Sequence, residues 1–289
     1  MIEFKKCSDV SDEAIFETFR EGFSDYFFKF EMTPSYFIDH FFGAEGNRRE
    51  LSLVAYKHGQ AVGILLGGLR SFEGMETLRC GAMAVIPKGR KKGVAKALMA
   101  AHEEMAREMG IDQMFLEVLT VNDSAYTLYQ SLGYEKVYDL TYRIFEPEGF
   151  WFDTTPASCL TDQEAFYSIQ EVTLTDLEGL RHIDESHLPW QGSFEYMSQI
   201  PVEIYGVYKN GQLIAGLVGS DKKLYYLYVA PNHRRQGIAK ALIMTYLQVF
   251  KMTRCELVYT NNAKLHTFAN HLKMSTATFG QYEYYKWLD

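Results

Sequence analysis

The residues from Val85 to Ala95, V-I-P-K-G-R-K-K-G-V-A, have the types and spacing to hold an anion, and the chain contains the pattern twice. Val229 to Ala239, V-A-P-N-H-R-R-Q-G-I-A, repeats V-x-P-x-x-R-x-x-G-x-A at a constant offset of 144 residues. Helix starts normally favour Asp or Glu, because the unsatisfied amides and the helix dipole present positive potential there. Here Arg90, Lys91 and Lys92 in one copy, and Arg234 and Arg235 in the other, stand at that point instead. Cations at an already positive helix end are unfavourable unless a bound anion offsets them, and Gly93 with Ala95 leaves the backbone open to one. Thr77 to His102 and Lys222 to Cys255 contain no acid, although residues 1–146 carry 17 basic and 22 acidic side chains. A solvated basic turn would explain one such window; two at the same offset favour a phosphate-bearing ligand. Neither G-x-x-x-x-G-K-S/T nor G-x-G-x-x-G occurs, so a P-loop or dinucleotide site has little support.

The elements that must position these loops follow from periodicity. Apolar residues recur at helical spacing after each loop: Val94, Ala97, Leu98, Ala101 and Met105, then Ile238, Ala241, Leu242, Tyr246 and Val249. Each loop therefore sits at a strand-to-helix turn. Upstream, His58-Gly59 and Asn210-Gly211 interrupt apolar runs as hairpin turns do. Downstream come short strands, Met114 to Leu119 and Glu256 to Thr260, then helices from about Asn122 and Asn262. Each half reads strand, two helices, hairpin, strand, helix, strand, helix, strand. The expectation is an α/β (α+β) chain of two tandem domains, 1–146 and 163–289, joined by a linker at 147–162 that holds Pro147, Gly149 and Pro156.

Composition narrows the function. With 289 residues, 47% of them apolar, the chain can bury a sizeable core, and its net charge of −8 argues against a general nucleic-acid binder. The first residues lack a secretory layout and no run of eighteen apolar residues occurs, so a cytoplasmic protein without membrane partners is expected. The four cysteines are 70 or more residues apart and are read as reduced, mostly packing thiols. The nearest histidine pairs, His182 with His187 and His266 with His271, are five apart rather than four, and no metal is expected.

At these residues the sequence resembles the GNAT acetyltransferase superfamily, whose loop reads R/Q-x-x-G-x-G/A after a V-x-P strand end. The resemblance includes a second signature, Asn122-x-x-Ala125-x-x-Leu128-Tyr129-x-x-Leu132-Gly133-Tyr134, about thirty residues after the first. It implies two tandem domains, each with a mixed, largely antiparallel sheet flanked by helices and a splayed pair of parallel strands at the cofactor site. It implies acetyl-CoA as cofactor and a small-molecule or peptide amine as acceptor, in a monomer or homodimer. Backbone amides from Arg90 through Lys91, Lys92, Gly93 and Val94 to Ala95 would hold the pyrophosphate of coenzyme A. An amide near Ala84 or Val85 would polarise the thioester, Asn122 would contact the cofactor, and Tyr129 would protonate the departing thiolate. The matching C-terminal residues are Val229, Arg234, Arg235, Gln236, Gly237, Ile238 and Ala239.

The residues themselves permit these roles and also plainer ones. Tyr129 lies seven residues after Asn122, two turns along one helix face, so both can face one cleft; Tyr129 could equally be a packing tyrosine and Asn122 a helix cap. Glu117 is the candidate general base, against a reading as a strand-edge ion-pair partner. Asp25 and Tyr26 could meet a cationic acceptor, although their aromatic surroundings also read as ordinary core. Cys80 lacks a histidine pattern that would make it a nucleophile. In the C-terminal copy Asn262 aligns with Asn122, but Ala269 replaces Tyr129, and His266 is a weak substitute. Catalysis is therefore expected in the N-terminal domain. The alternative is a tandem protein that binds acyl-CoA without transferring it.

Overall fold

Local sequence sets the limits of the first elements in the computed structural model, which describes residues 1–146, 167–183 and 185–288. After β1 (Glu3–Lys6), Ser11 caps α1 (Asp12–Gly22) by accepting the Ala14 amide; Asp12 and Glu13 lie in its first turn and Arg20 in its last. Thr33 and the following proline start α2 (Pro34–Asp39) in the same way. Strands β2 (Asn47–Lys57), β3 (Gln60–Phe72) and β4 (Met75–Val85) form a meander. Its turns are His58-Gly59, at φ 52° and 74°, and Glu73-Gly74, at φ 53° and 81°. Two positive φ values in a two-residue loop match the twist of the flanking strands. The half closes with α3 (Val94–Glu108), β5 (Gln113–Leu119), α4 (Asp123–Ser131) and β6 (Glu135–Phe145).

The second half repeats this order: β7 (Tyr167–Glu171), α5 (Leu174–Arg181), α6 (Phe194–Met197), β8 (Glu203–Lys209), β9 (Gln212–Gly219), β10 (Lys223–Val229), α7 (Ile238–Phe250), β11 (Cys255–Thr260), α8 (His266–His271), a short β12 (Ser275–Thr276) and β13 (Gln281–Trp287). The linker expected at 147–162 lies outside the described residues.

The chain divides into two compact units, and the division differs from the expected 1–146 and 163–289. One unit is Met1–Val137 with Gln281–Asp289; the other is Tyr138–Gly280. In the first, the strand order is β1-β2-β3-β4-β5-β13, and β13 pairs antiparallel with β5 from Gln281↔Leu119 to Trp287↔Gln113. In the second, the order is β7-β8-β9-β10-β11-β6, with Leu140 to Phe145 of β6 paired to β11. Each copy thus gives its last strand to the other copy's unit. The physical reason is that β6 and β13 are equivalent elements of a repeat, so each can satisfy the inner edge of either copy.

The described strand pairs of each unit are antiparallel except one. β4 and β5 run parallel through Thr77↔Gln113 to Cys80↔Leu116, and β10 and β11 through Lys223↔Glu256 and Leu224↔Leu257. Pairing ends there, and the strands part toward the loop that follows β4 or β10. In the N-terminal unit Ile15, Phe19 and Phe37 pack with Ile64, Leu66 and Ala84 on one face of the sheet, while Leu98 and Met99 of α3 join Leu65, Leu78 and Met114 on the other. In the second unit Ala241, Leu242 and Tyr246 of α7 share a core with Val207, Leu217 and Leu224.

One buried group in the α3 core has a consequence for acid stability. His102 is fully buried, neither ring nitrogen has a hydrogen-bond partner among the described residues, and burial lowers its pKa to about 3. The unfolded chain protonates this ring near pH 6.5 whereas the folded chain resists, so stability falls as pH drops below about 6.5 and continues to fall toward pH 3. Between pH 6.5 and 5 the expected loss is about 2 kcal/mol, at 1.4 kcal/mol per unit. His102→Leu should flatten that part of the profile, read from urea midpoints at the two pH values. An unchanged slope would show that the ring is protonated in the folded protein.

Candidate functional site

The N-terminal loop follows β4 through a short 3-10 turn, Pro87–Gly89, and enters α3 at Gly93. Gly93 has φ 80° and caps the helix with no side chain to accept its first amides, and Lys91 is also left-handed at φ 58°. The second loop repeats the geometry, with Arg235 at φ 61° and Gly237 at φ 79°. Successive amides in such alternating conformations point into a shared concavity that suits an anion. Neither helix has an acid in its first turn, and a Cβ built on Gly93 meets nothing within 4 Å. The chain therefore fits a phosphate group here. Val94 and Ile238 are buried and anchor the helix starts, with Ala95 and Ala239 partly buried beside them.

The signature arginines play a different part from the one their charge suggested. Arg90 donates from Nε to the Val85 carbonyl at 3.0 Å, and Arg234 donates likewise to Val229 at 2.8 Å. Each holds the strand end against its own loop. The remaining nitrogens of Arg90 reach both carboxylate oxygens of Asp25 at 2.6 Å and the Gly22 carbonyl at 3.1 Å. That bond holds the Asp25 carboxyl below its ordinary range. Asp25, expected at the acceptor, is thus tied to the loop. Lys92 donates to the Lys88 carbonyl at 2.7 Å, Lys91 is exposed, and Gln236 accepts from the Tyr167 hydroxyl at 2.9 Å.

At the splayed end, Asn122 caps α4, accepting from the Ala125 amide at 3.3 Å and the Ser124 hydroxyl at 3.1 Å. Tyr26 is raised in pKa by burial, with Asn122 as the hydrogen-bonding neighbour that partly opposes the shift. Tyr129 is buried, which pushes its phenol well above the ordinary tyrosine range, helped by Cys80, Tyr134 and Tyr26 nearby. Its phenol is therefore protonated at neutral pH. The same region brings Ala84 against Gly22, where an added Cβ would lie 2.6 Å from that of Ala84. Burial pushes the Cys80 thiol up to about 12, so it carries no thiolate at neutral pH.

Glu117 is nearly buried and accepts from Arg79 Nη2 at 2.8 Å; Arg79 Nη1 in turn donates to Glu45 at 2.9 Å. Sequence reasoning allowed Glu117 an ion-pair partner but counted Arg79 only among the basic residues of the acid-free window, not as that partner. The available signal was its position between Leu78 and Cys80 in an apolar strand, where a charge needs a buried counter-ion.

The C-terminal site is built differently. The helix expected from Asn262 begins at His266, because the Asn262 side chain accepts from the His187 amide at 3.2 Å and does not cap a helix. Thr260 Oγ1 lies 2.9 Å from the His187 carbonyl oxygen and 2.6 Å from Asn262 Oδ1. His187 is buried and stacks on Tyr138 at 4.0 Å. Ala269 is fully buried, and His266 Nδ1 sits 3.4 Å from the Tyr259 hydroxyl.

A duplicated mixed sheet with one splayed parallel pair per copy, each leading into a basic left-handed loop, defines the acetyltransferase architecture. The acetyltransferase (GNAT) family model matches residues 14–134 and 165–272, and the chain belongs to that family. Among solved structures, a tandem GNAT protein from the clavulanic acid biosynthesis pathway aligns with 99% of this chain and 98% of its own, at 14% identity and a TM-score of 0.67. A GCN5-related N-acetyltransferase from Sphaerobacter thermophilus aligns with 99% and 95%, at 13% identity and 0.68. These likenesses show the fold. N-alpha-acetyltransferase 30 of Dictyostelium discoideum is 27% identical over 88 residues, 30% of this chain and 48% of that protein. The uncharacterized N-acetyltransferase YjgM of Escherichia coli (strain K12) is 37% identical over 73 residues, 25% of this chain and 44% of that protein. The chain spans about half the length of these relatives. Among the described residues, no helix is long and apolar enough to cross a membrane.

Proposed function

We propose that the N-terminal unit transfers an acetyl group from acetyl-CoA to a primary amine of a small molecule or peptide by direct attack. The observation that carries this reading is the buried, protonated Tyr129, whose neighbours include Cys80, the last residue of β4 paired with β5, set against Ala269 in the other copy. Bound acetyl-CoA supplies the acetyl group as a thioester, whose carbon–sulfur bond breaks as the amine nitrogen bonds the acetyl carbon. The amides from Arg90 to Ala95 receive its phosphates, and the unpaired edge beyond Cys80 leaves room for its arm. Glu117 takes the proton that the acceptor ammonium gives up, directly or through water. Tyr129 Oη delivers a proton to the departing sulfur. Cys80 stays a thiol throughout, which favours direct attack over an acyl-enzyme.

Tyr129→Phe keeps the ring and removes only the hydroxyl. Turnover should fall about 100-fold, the lower range for a lost general acid or base, with little change in the KM for acetyl-CoA. Unchanged turnover across pH would return Tyr129 to a packing role.

A second reading is favoured for the C-terminal unit. With His187 bonded to Asn262 and Thr260, and alanine where the acid would stand, its intact loop supports binding of coenzyme A phosphates without transfer.

A further inference from the structure

We propose that Asp25 and Tyr26 serve the cofactor rather than the acceptor: adjacent residues of one turn, they tie the two sides of the β4–β5 splay together and hold the arm of coenzyme A there. The proposal rests on the reading that the N-terminal loop takes coenzyme A, and does not depend on transfer.

The turn follows the end of α1, and aromatic packing fixes its base. Phe23 lies 4.5 Å and Phe30 5.4 Å from Phe19, ring centre to ring centre, and Phe19 is fully buried. The Tyr26 ring stands 5.0 Å from that of Phe23. From this base two adjacent side chains reach opposite sides of the splay. Asp25 takes Arg90 with both carboxylate oxygens at 2.6 Å, while the same guanidinium donates to the Gly22 and Val85 carbonyls. A bidentate pair fixes direction as well as distance. On the other side the Tyr26 hydroxyl meets the side chain of Asn122. The backbone amide of Asn122 donates to the Leu119 carbonyl at 3.0 Å, which ties it to the end of β5.

These contacts form a ring. It runs from Val85 at the end of β4 through Arg90, Asp25, Tyr26 and Asn122 to Leu119, and the sheet closes it where the two strands last pair, at Cys80↔Leu116. An arm running from the loop into the splay lies within this ring, where its sideways escape requires one of the two side-chain contacts to break. One contact is an exposed ion pair and the other a single hydrogen bond, both of which break at small cost, so the cofactor is held without being trapped. The second copy lacks both ties. Arg234 holds Val229 as Arg90 holds Val85, but its guanidinium lies over the Tyr228 ring at 5.6 Å, and no carboxylate pairs with it among the described residues. Asn262 accepts from the His187 amide instead of meeting a tyrosine of such a turn. The strap thus belongs to the copy that has Tyr129, the one in which the arm must be placed against a reacting group.

The test uses the full chain and reads release of coenzyme A from the N-terminal loop, identified as the phase that Gly93→Glu removes. Tyr26→Phe keeps the ring packing and Asp25→Asn keeps the side-chain size. Each should speed release about fivefold or more, the effect of one lost hydrogen bond acting on dissociation. Because either break opens the same ring, the double variant should release no more than about twofold faster than the faster single variant, whereas independent contacts would multiply. Release unchanged in both single variants, or effects that multiply in the double variant, would overturn the proposal. So would a lower melting temperature without faster release, which marks a packing role alone, or a wild type that shows no N-terminal phase. Turnover of acetyl-CoA with a primary amine separates the two claims. Faster release in the variants of a chain without turnover sinks the transfer reading alone, and turnover with release indifferent to both substitutions sinks the strap alone.

Discussion

Ending the chain after Gly280 is expected to unfold the N-terminal unit, although every residue removed belongs to the far end of the second repeat. The lost strand β13 pairs with all of β5, from Gln113 to Leu119. It also carries Tyr284 and Tyr285, exposed by 2% and 1%, into that unit, and Lys286, which bonds Glu103 at 2.6 Å and the Leu132 carbonyl at 2.8 Å. Truncating one large buried aromatic typically costs about 3–5 kcal/mol. Two such losses, with an unpaired inner strand added, approach or exceed the roughly 5–15 kcal/mol that keeps a domain folded. Hydrogen exchange reads the outcome by element: amides of β4 and β5 should lose protection, while those of α7 and β9 keep theirs. The single change Trp287→Ala, at a residue 48% exposed, should do little in comparison. Full protection of β5 in the truncated chain would mean that some other strand occupies the position of β13.

The same strand marks the limit of what the sequence discloses. Both loops, both hairpin turns and the helices after them were legible because each is a local pattern: glycine where φ is positive, apolar residues at helical spacing, a proline after the strand end. Strand exchange is not local. The alternation in Asp139 to Phe145 and in Gln281 to Trp287 states that each segment is a strand, but two copies of one fold offer two equivalent edges. Which edge each strand takes depends on the whole chain. Arg79 was misread for a related reason. Counted along the chain it joins the basic residues of the acid-free window, yet strand alternation turns it to the opposite face from Leu78 and Cys80, onto Glu45 and Glu117. Asn262, which the sequence sets opposite Asn122, takes a different role through His187, a residue 75 positions earlier whose amide it accepts.

Replacing Gly93 by glutamate should abolish coenzyme A binding at the N-terminal loop while leaving the fold almost as stable as before. A residue with a side chain at φ 80° costs about 1–2 kcal/mol. The new side chain meets no steric obstacle, since a Cβ on Gly93 has nothing within 4 Å. Its carboxylate also stands at the start of α3, where a negative charge contributes about 0.3–1 kcal/mol in return. The two effects nearly offset in stability, whereas their effects on binding add. The carboxylate occupies the amides that the phosphates need and repels them, so affinity for coenzyme A should fall at least 100-fold, and transfer with it. Gly93→Ala, which adds strain without charge, should fall between the two. Gly237 has the same left-handed conformation, at φ 79°, at the start of α7 in the second loop. Gly237→Glu should therefore remove binding at the C-terminal loop and leave transfer intact if only the unit with Tyr129 catalyses. Calorimetric titration of both variants with coenzyme A, beside their melting curves, distinguishes the loops. Loss of transfer in Gly237→Glu with transfer retained in Gly93→Glu would place the active unit in the copy that carries Ala269.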